Sequence, residues 1–365
     1  MALLQDGQWI GNTYQVERFL GEGAFAEVYR VRHRFLGRQA MKVFKATGLT
    51  LPEIETMLEE AVLLSQIGHP NIIRVFDANI TETPLGMLGY FTMEYIAGGS
   101  LDQFWRSFGN KRIPIETAVE VLRQACRGLS VAHAEQPPII HRDIKPQNML
   151  VGYDPGGLRV RISDFGLAKR VNPLTLLASA RGTRCFKSPE ALRDFQADSC
   201  AGDVWALGST LYLLTGDRLP YTDPAGRGLE DMPDYNRPLL QPSLLNYQVD
   251  PRLEQIIVRC LAIRPQERYP TARELLADLE AWRPATAPAR LPAYEQPSSK
   301  AALGPAASPN QSSAESMARR ALTLAQSAAG LGEAADLMEE AFNLWPALRS
   351  QYEYNVRLWR RGIMS

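Results

Sequence analysis

His141-Arg142-Asp143-Ile144-Lys145-Pro146-Gln147-Asn148, followed by Asp164-Phe165-Gly166, is the stretch on which the reading turns. Any one carboxylate in it, taken alone, reads as the partner of a surface salt bridge. Two carboxylates with a lysine and an asparagine at fixed spacing have to be read with what surrounds them.

Upstream, the strand-like residues Tyr14 to Leu20 run into Gly21-Glu22-Gly23-Ala24-Phe25-Ala26-Glu27-Val28. Glycines lack a Cβ, so such a turn lets a bound group approach the backbone closely. By themselves they more often mark a plain hairpin. Next comes a short apolar strand, Gln39 to Phe44, with Lys42 in its middle, where an unpaired ammonium is costly. A helix from Pro52 to about Ile67 follows, with proline suited to its first turn. Helical spacing groups Glu60 with Met57, Leu64 and Ile67 on an inward face, and Glu59 with Glu55 and Gln66 towards water. Strands are expected over Ile72–Phe76 and Met87–Tyr95. Beyond Gly98-Gly99 the pattern turns helical, as in Ala118–Ala134 and Asp203–Leu214. The plan is α+β and bilobal: a β-rich N-lobe of about 14–94 and a helical C-lobe of about 97–283.

With these motifs in order, the sequence resembles the eukaryotic-type protein kinase family across roughly residues 14 to 283. The resemblance implies the bilobal kinase fold and transfer of the γ-phosphate of ATP to protein hydroxyls. It makes Asp143 the residue that orients the substrate hydroxyl and accepts its proton, and Lys145 the cation on the γ-phosphate. Lys42 becomes the phosphate-binding lysine, paired with Glu60. Asn148 and Asp164 become the ligands of Mg2+, with Mn2+ as a substitute, hard oxygen donors for a hard cation. The nucleotide pocket would be lined by Leu20, Gly21, Glu22, Gly23, Ala24, Phe25, Val28, Ala40, Lys42, Met93, Glu94 and Ile96. The backbone of Glu94 and Ile96 would hold the adenine, and Met93 would guard the space behind. Ala26 departs from the third glycine of the usual loop.

Lysine two residues beyond Asp143, and Thr183 shortly before Ser188-Pro189-Glu190, are the pattern of serine/threonine-directed members. Thr183 matches the position that contacts Asp143 and Lys145. Glu190 would pair with Arg268, and Asp203 would brace the catalytic-loop backbone. Arg142 resembles members controlled by phosphorylation of the activation loop, for which Thr175 and Ser179 are the candidates. Two rival classes are weighed: a nucleotide-binding pseudokinase scaffold, and a small-molecule kinase of related fold. The first generally loses the equivalents of Lys42, Asp143 or Asp164, and the second lacks the Ser188-Pro189-Glu190 ending of the activation segment.

Bulk properties agree. Of 365 residues, 45% are hydrophobic and 22% charged, with 40 Lys+Arg against 40 Asp+Glu. No global basic field attracts nucleic acid or an anionic membrane. Cys126, Cys185, Cys200 and Cys260 form no C-x-x-C pair, which argues against a zinc site or disulfide framework. No run reaches the roughly 18 apolar residues of a membrane span, and residues 1–11 are not a signal peptide. These features read as cytoplasmic.

Residues 284–313 are rich in Pro, Ala and Ser and read as a linker. From 314 to 365 helical periodicity returns, with Ala334, Leu337, Met338, Ala341, Phe342 and Trp345 on one face. This tail partly resembles a single tetratricopeptide-type helical pair. One pair cannot bury its own apolar face. The tail is therefore expected to dock on its own catalytic domain, on a second copy or on a partner protein.

Overall fold

The computed structural model describes residues 2–23, 26–45, 51–83, 86–108, 112–154, 157–165, 184–194, 197–222, 233–284, 309–327, 330–360 and 362. The N-lobe is a six-stranded sheet of β1 (Trp9–Ile10), β2 (Tyr14–Glu22), β3 (Ala26–His33), β4 (Gly37–Phe44), β5 (Val75–Thr83) and β6 (Gly86–Glu94), in the order β1-β2-β3-β4-β6-β5. All its pairings are antiparallel. One face carries Tyr14, Val16, Tyr29, Val31, Met41 and Val43, sealed by Leu4 and Ile10. Helix α1 (Leu51–Gln66) packs on β5 and β6.

The strand expected over Ile72–Phe76 is displaced. Ile72 makes only an isolated bridge to Ile162, and the regular strand begins at Val75 and runs on to Thr83. The apolar run was legible, but Asn71 takes its residues to the C-lobe: Asn71 Nδ2 donates to the Val160 carbonyl at 2.8 Å.

The C-lobe contains α2 (Leu101–Arg106), α3 (Ile115–Ala134), the hairpin β7 (Met149–Asp154) and β8 (Gly157–Ile162), α4 (Pro189–Arg193) and α5 (Cys200–Gly216). After these come α6 (Pro242–Leu245), α7 (Pro251–Cys260) and α8 (Ala272–Ala281). From Asp203 onward α5 is buried on every side, as expected of a helix that is apolar all round. Its N-terminus is capped by the Ser199 hydroxyl, which accepts from Gly202 N at 3.1 Å. The hinge passes β7 so closely that a Cβ on Gly98 would overlap the Val151 carbonyl, and Val151 N donates to Gly99 O at 2.8 Å.

The tail forms α9 (Pro309–Leu324), α10 (Leu331–Leu344) and α11 (Arg349–Trp359). Helix starts at Pro309, ahead of the Ala314 expected, because proline and asparagine are good first-turn residues even in a composition that reads as linker. Met317, Ala318, Ala321, Ala334, Leu337, Met338, Ala341, Phe342 and Trp359 form one core, and Ala97 and Tyr95 of the hinge and Tyr153 of β7 belong to it. The apolar face is thus closed by its neighbouring helices and by the catalytic domain. Tyr354, by contrast, is exposed. Among the described residues no helix is long and apolar enough to cross a membrane.

Candidate active site

A cavity of about 540 Å³ lies between the lobes. Its roof is the β2–β3 hairpin, where Gly21 faces Val28 in register. A Cβ on Gly21 would meet nothing within 4 Å, so protein packing does not impose glycine there. Leu20, Glu22, Gly23, Val28, Ala40, Met93, Glu94 and Ile96 line the cavity as expected; Lys42, also expected in the lining, is not part of it and reaches the site through Asp164, and Ala24 and Phe25 lie outside the described residues.

β4 places Lys42 beneath the hairpin, with Val28 and Phe91 as its cross-strand neighbours. Its Nζ donates to Asp164 Oδ1 at 2.7 Å. Burial alone would raise the Asp164 pKa, but the Lys42 ammonium outweighs it and holds the carboxyl below the usual aspartate range. Asp164 sits at φ 60°, a left-handed conformation rare for a non-glycine residue, which is common where a functional side chain has to be aimed. Glu60 lies on α1, but its side chain is outside the described residues, as are Thr175, Ser179 and Thr183. Glu59 points to solvent, as its place on the helix required.

The catalytic loop is held by buried polar contacts. Asp203, at the start of α5, accepts from His141 N at 2.7 Å and from Arg142 N at 2.9 Å, and its carboxylate lies 3.1 Å from His133 Nε2. His141 Nδ1 accepts from Asp143 N, which leaves Nε2–H to donate to the Ser163 carbonyl at 3.0 Å. Burial lowers its pKa, in keeping with a neutral ring. That ring lies 4.4 Å from the Phe165 ring, linking the two halves of the motif. Asp143, 9% exposed, is 3.0 Å from Lys145 Nζ and accepts from Asn148 Nδ2 at 3.0 Å. Asn148 Nδ2 also donates to the Asp143 carbonyl at 2.8 Å.

These donations leave Asn148 with its Oδ1 as a free oxygen donor, and Lys42 leaves Asp164 its second carboxylate oxygen. Both residues line the cavity. Two hard oxygen donors beside a water-accessible cavity suit a magnesium-sized cation that keeps waters and phosphate oxygens in its other positions. Arg142 ion-pairs with Asp198 at 3.2 Å. Glu190 and Arg268 form the expected bidentate pair, at 2.7 and 2.8 Å.

Eight cavity residues were missed in the sequence: Tyr95, Gly99, Ser100, Gln103, Gln147, Leu150, Ser163 and Glu333. Gly99, Ser100 and Gln103 carry weak local signals: Ser100 followed by Gln103 is a capping box at the start of α2. Glu333 comes from α10 of the tail, and no local pattern connects it to a cavity formed mostly by residues 20–164.

A β-rich lobe over a helical lobe, with a lysine, two aspartates and an asparagine gathered beneath a glycine hairpin, defines a protein of the kinase type. Residues 14–279 match the protein kinase domain family, and the chain belongs to it. Serine/threonine-protein kinase PknB of Mycolicibacterium smegmatis is 33% identical over 280 residues, covering 74% of this chain and 43% of that protein. A probable serine/threonine-protein kinase of Clostridium acetobutylicum is 30% identical over 279 residues, covering 75% and 40%. The chain therefore spans less than half the length of these curated relatives. The solved PknI kinase domain of Mycobacterium tuberculosis, at 24% identity, superposes with a TM-score of 0.56 over 76% of this chain and 99% of that one, which shows the shared fold. Helices α9 to α11 lie beyond the family match.

Proposed function

We propose that the protein transfers the γ-phosphate of ATP to serine or threonine hydroxyls of proteins, itself included. The observation that carries this is the gathering of Lys145, Asn148 and Asp164 on one cavity that Gly21 and Gly23 also line, with Lys42 bound to Asp164 and Asp143 bound to Lys145 and Asn148. The backbone of the hinge at Glu94 and Ile96 receives the adenine, and the glycine hairpin covers the phosphates. Lys42 binds phosphate oxygens while keeping Asp164 ionised. Asp143 accepts the hydroxyl proton as the substrate oxygen bonds to the γ-phosphorus and the bond to the ADP oxygen breaks. Lys145, beside Asp143, offsets charge on the transferring group. A magnesium ion held by Asn148 and Asp164 would supply charge neutralisation on the phosphates. The hydroxyl class rests on Lys145 and Thr183, as in serine/threonine-directed relatives.

The test is labelled phosphoryl transfer by the wild type and by Asp143→Asn, on the protein itself and on a basic substrate. Removing the base should cost about 10²- to 10⁴-fold in rate while nucleotide binding persists. Nucleotide binding without transfer by either protein would replace the enzyme by the scaffold reading.

A further inference from the structure

We propose that the tail completes the nucleotide site, with Glu333 of α10 accepting the hydrogen bonds of the ribose hydroxyls. This rests on the ATP reading above and adds to it a binding residue from outside the family match.

The cavity has two chemically distinct ends. Lys145, Asn148 and Asp164, the last held by Lys42, fit phosphates and cation at one; the hinge backbone fits a flat base at the other. Next to the hinge the wall includes Gly99, Ser100, Gln103 and Glu333, with Gly99, Gln103 and Glu333 in close approach. A carboxylate there repels a triphosphate and can only accept hydrogen bonds. With the base and its amino group assigned to the hinge backbone, the remaining donors of ATP are the two hydroxyls of the sugar diol, and an acidic residue on ribose hydroxyls is a recurrent solution in nucleotide sites.

The neighbouring neutral groups are already engaged. Ser100 Oγ accepts from Gln103 N at 3.3 Å, and Gln103 Oε1 accepts from Ser100 N at 2.8 Å. Among the described residues no hydrogen bond is made by the Glu333 carboxylate itself; burial raises its pKa against the through-space pull of Arg18 and Arg320. Its approach is also provided for. Gly99, at φ 72°, is where a Cβ would lie 2.5 Å from Glu333 Oε1, so only glycine lets the carboxylate reach the hinge.

The placement is anchored next door. Asp336, one helical turn on and 1% exposed, accepts from Arg18 of β2, from Tyr95 of the hinge at 2.8 Å and from Arg360, just past α11, at 2.6 Å. It also ion-pairs with Arg30 of β3. Each of its oxygens meets two donors. The tail is thus fixed to the strand that leads into the glycine hairpin and to the hinge at once.

The experiment measures, by calorimetry on the full chain with magnesium, the affinities of ATP and of 2′,3′-dideoxy-ATP for the wild type, Glu333→Ala and Glu333→Gln. The wild type should prefer ATP by about tenfold, the scale of a hydrogen bond to a charged group. Glu333→Ala should bind both nucleotides alike, at the wild-type affinity for the dideoxy compound, and Glu333→Gln should retain part of the preference. An undiminished preference in Glu333→Ala, or equal losses for both nucleotides in both variants, overturns the proposal and leaves the ATP reading intact. Failure of the wild type to bind either nucleotide overturns both.

Discussion

At the scale of single residues, the site is a set of charges that determine one another. Lys42 is the plainest case: half-buried beside Phe44 and Phe91, it meets the Asp164 carboxylate at 2.7 Å and keeps it ionised against the effect of burial. Removing it should do two things. Lys42→Met should lower phosphoryl transfer by about 10²-fold or more, because a preorganised cation is lost from the phosphates. It should also move the acid limb of metal-dependent nucleotide binding to higher pH. With its folded pKa depressed, Asp164 stays ionised until the pH falls well into the acid range; without Lys42, burial raises that pKa and protonation comes earlier. Nucleotide titrations across pH check it, and superimposed profiles would refute the coupling. Much at this scale was legible, because the motif residues are adjacent in sequence and their chemistry is local. Asp143, Lys145 and Asn148 are held together by bonds spanning five residues or fewer. The Lys42–Asp164 contact, across 122 residues, was legible only as two separate motif positions.

At the scale of elements, β3 shows why the tail's seat was not legible. Tyr29 and Val31 enter the sheet core, and Arg30 between them is buried as well, so the strand is covered on both faces. Read by alternation alone, Arg30 is a solvent-facing residue of a half-buried strand. It is instead covered by α10, through Asp336, and by Glu17, whose carboxylate lies 2.6 Å from Arg30 Nε. The partners of Asp336 include Arg18, 318 residues away in sequence, a distance no periodicity reports. The apolar face of α10 was legible because its spacing is helical; its charged face was not, since a carboxylate on a helix reads equally well as solvated. The hub makes a specific prediction. Asp336→Asn should leave Arg18, Arg30 and Arg360 facing one another without their common anion. That costs about 3–5 kcal/mol, the scale for removing one partner of a buried ion pair. Hydrogen exchange should accelerate through α9 to α11 while α5, in the C-lobe core, keeps its protection. Loss of protection in α5 to the same degree would mean that tail and catalytic domain unfold as one unit.

At the scale of the whole molecule, the tail joins the lobes at their hinge, and the charges it buries make that junction sensitive to pH. Glu340 sits on α10 among Asp336, Arg38 of β4 and Arg161 of β8. Burial first, and then the Asp336 charge, push its carboxyl up to about 7, against the pull of the two arginines. Released from the docked tail, the same group returns to the ordinary glutamate range. Between that range and about pH 7 the docked form therefore binds more protons than the undocked form, so docking weakens as pH rises through the window and levels off above it. Asp336 does not blur the effect. Its pKa is lowered, burial being outweighed by Arg30, Arg18 and Arg360, so it remains ionised throughout the window and fails only at much lower pH. Glu340→Gln removes the titrating group while keeping its shape. Tail protection in the wild type should fall between about pH 5.5 and pH 8 by on the order of 1 kcal/mol, allowing for partial exposure of the carboxyl. In Glu340→Gln the fall should be smaller, the remainder belonging to Glu333 on the same helix, whose pKa burial also raises. Hydrogen exchange in α9 to α11 at the two pH values, corrected for intrinsic rates, measures it. Parallel declines in the two proteins would assign the pH response to another group.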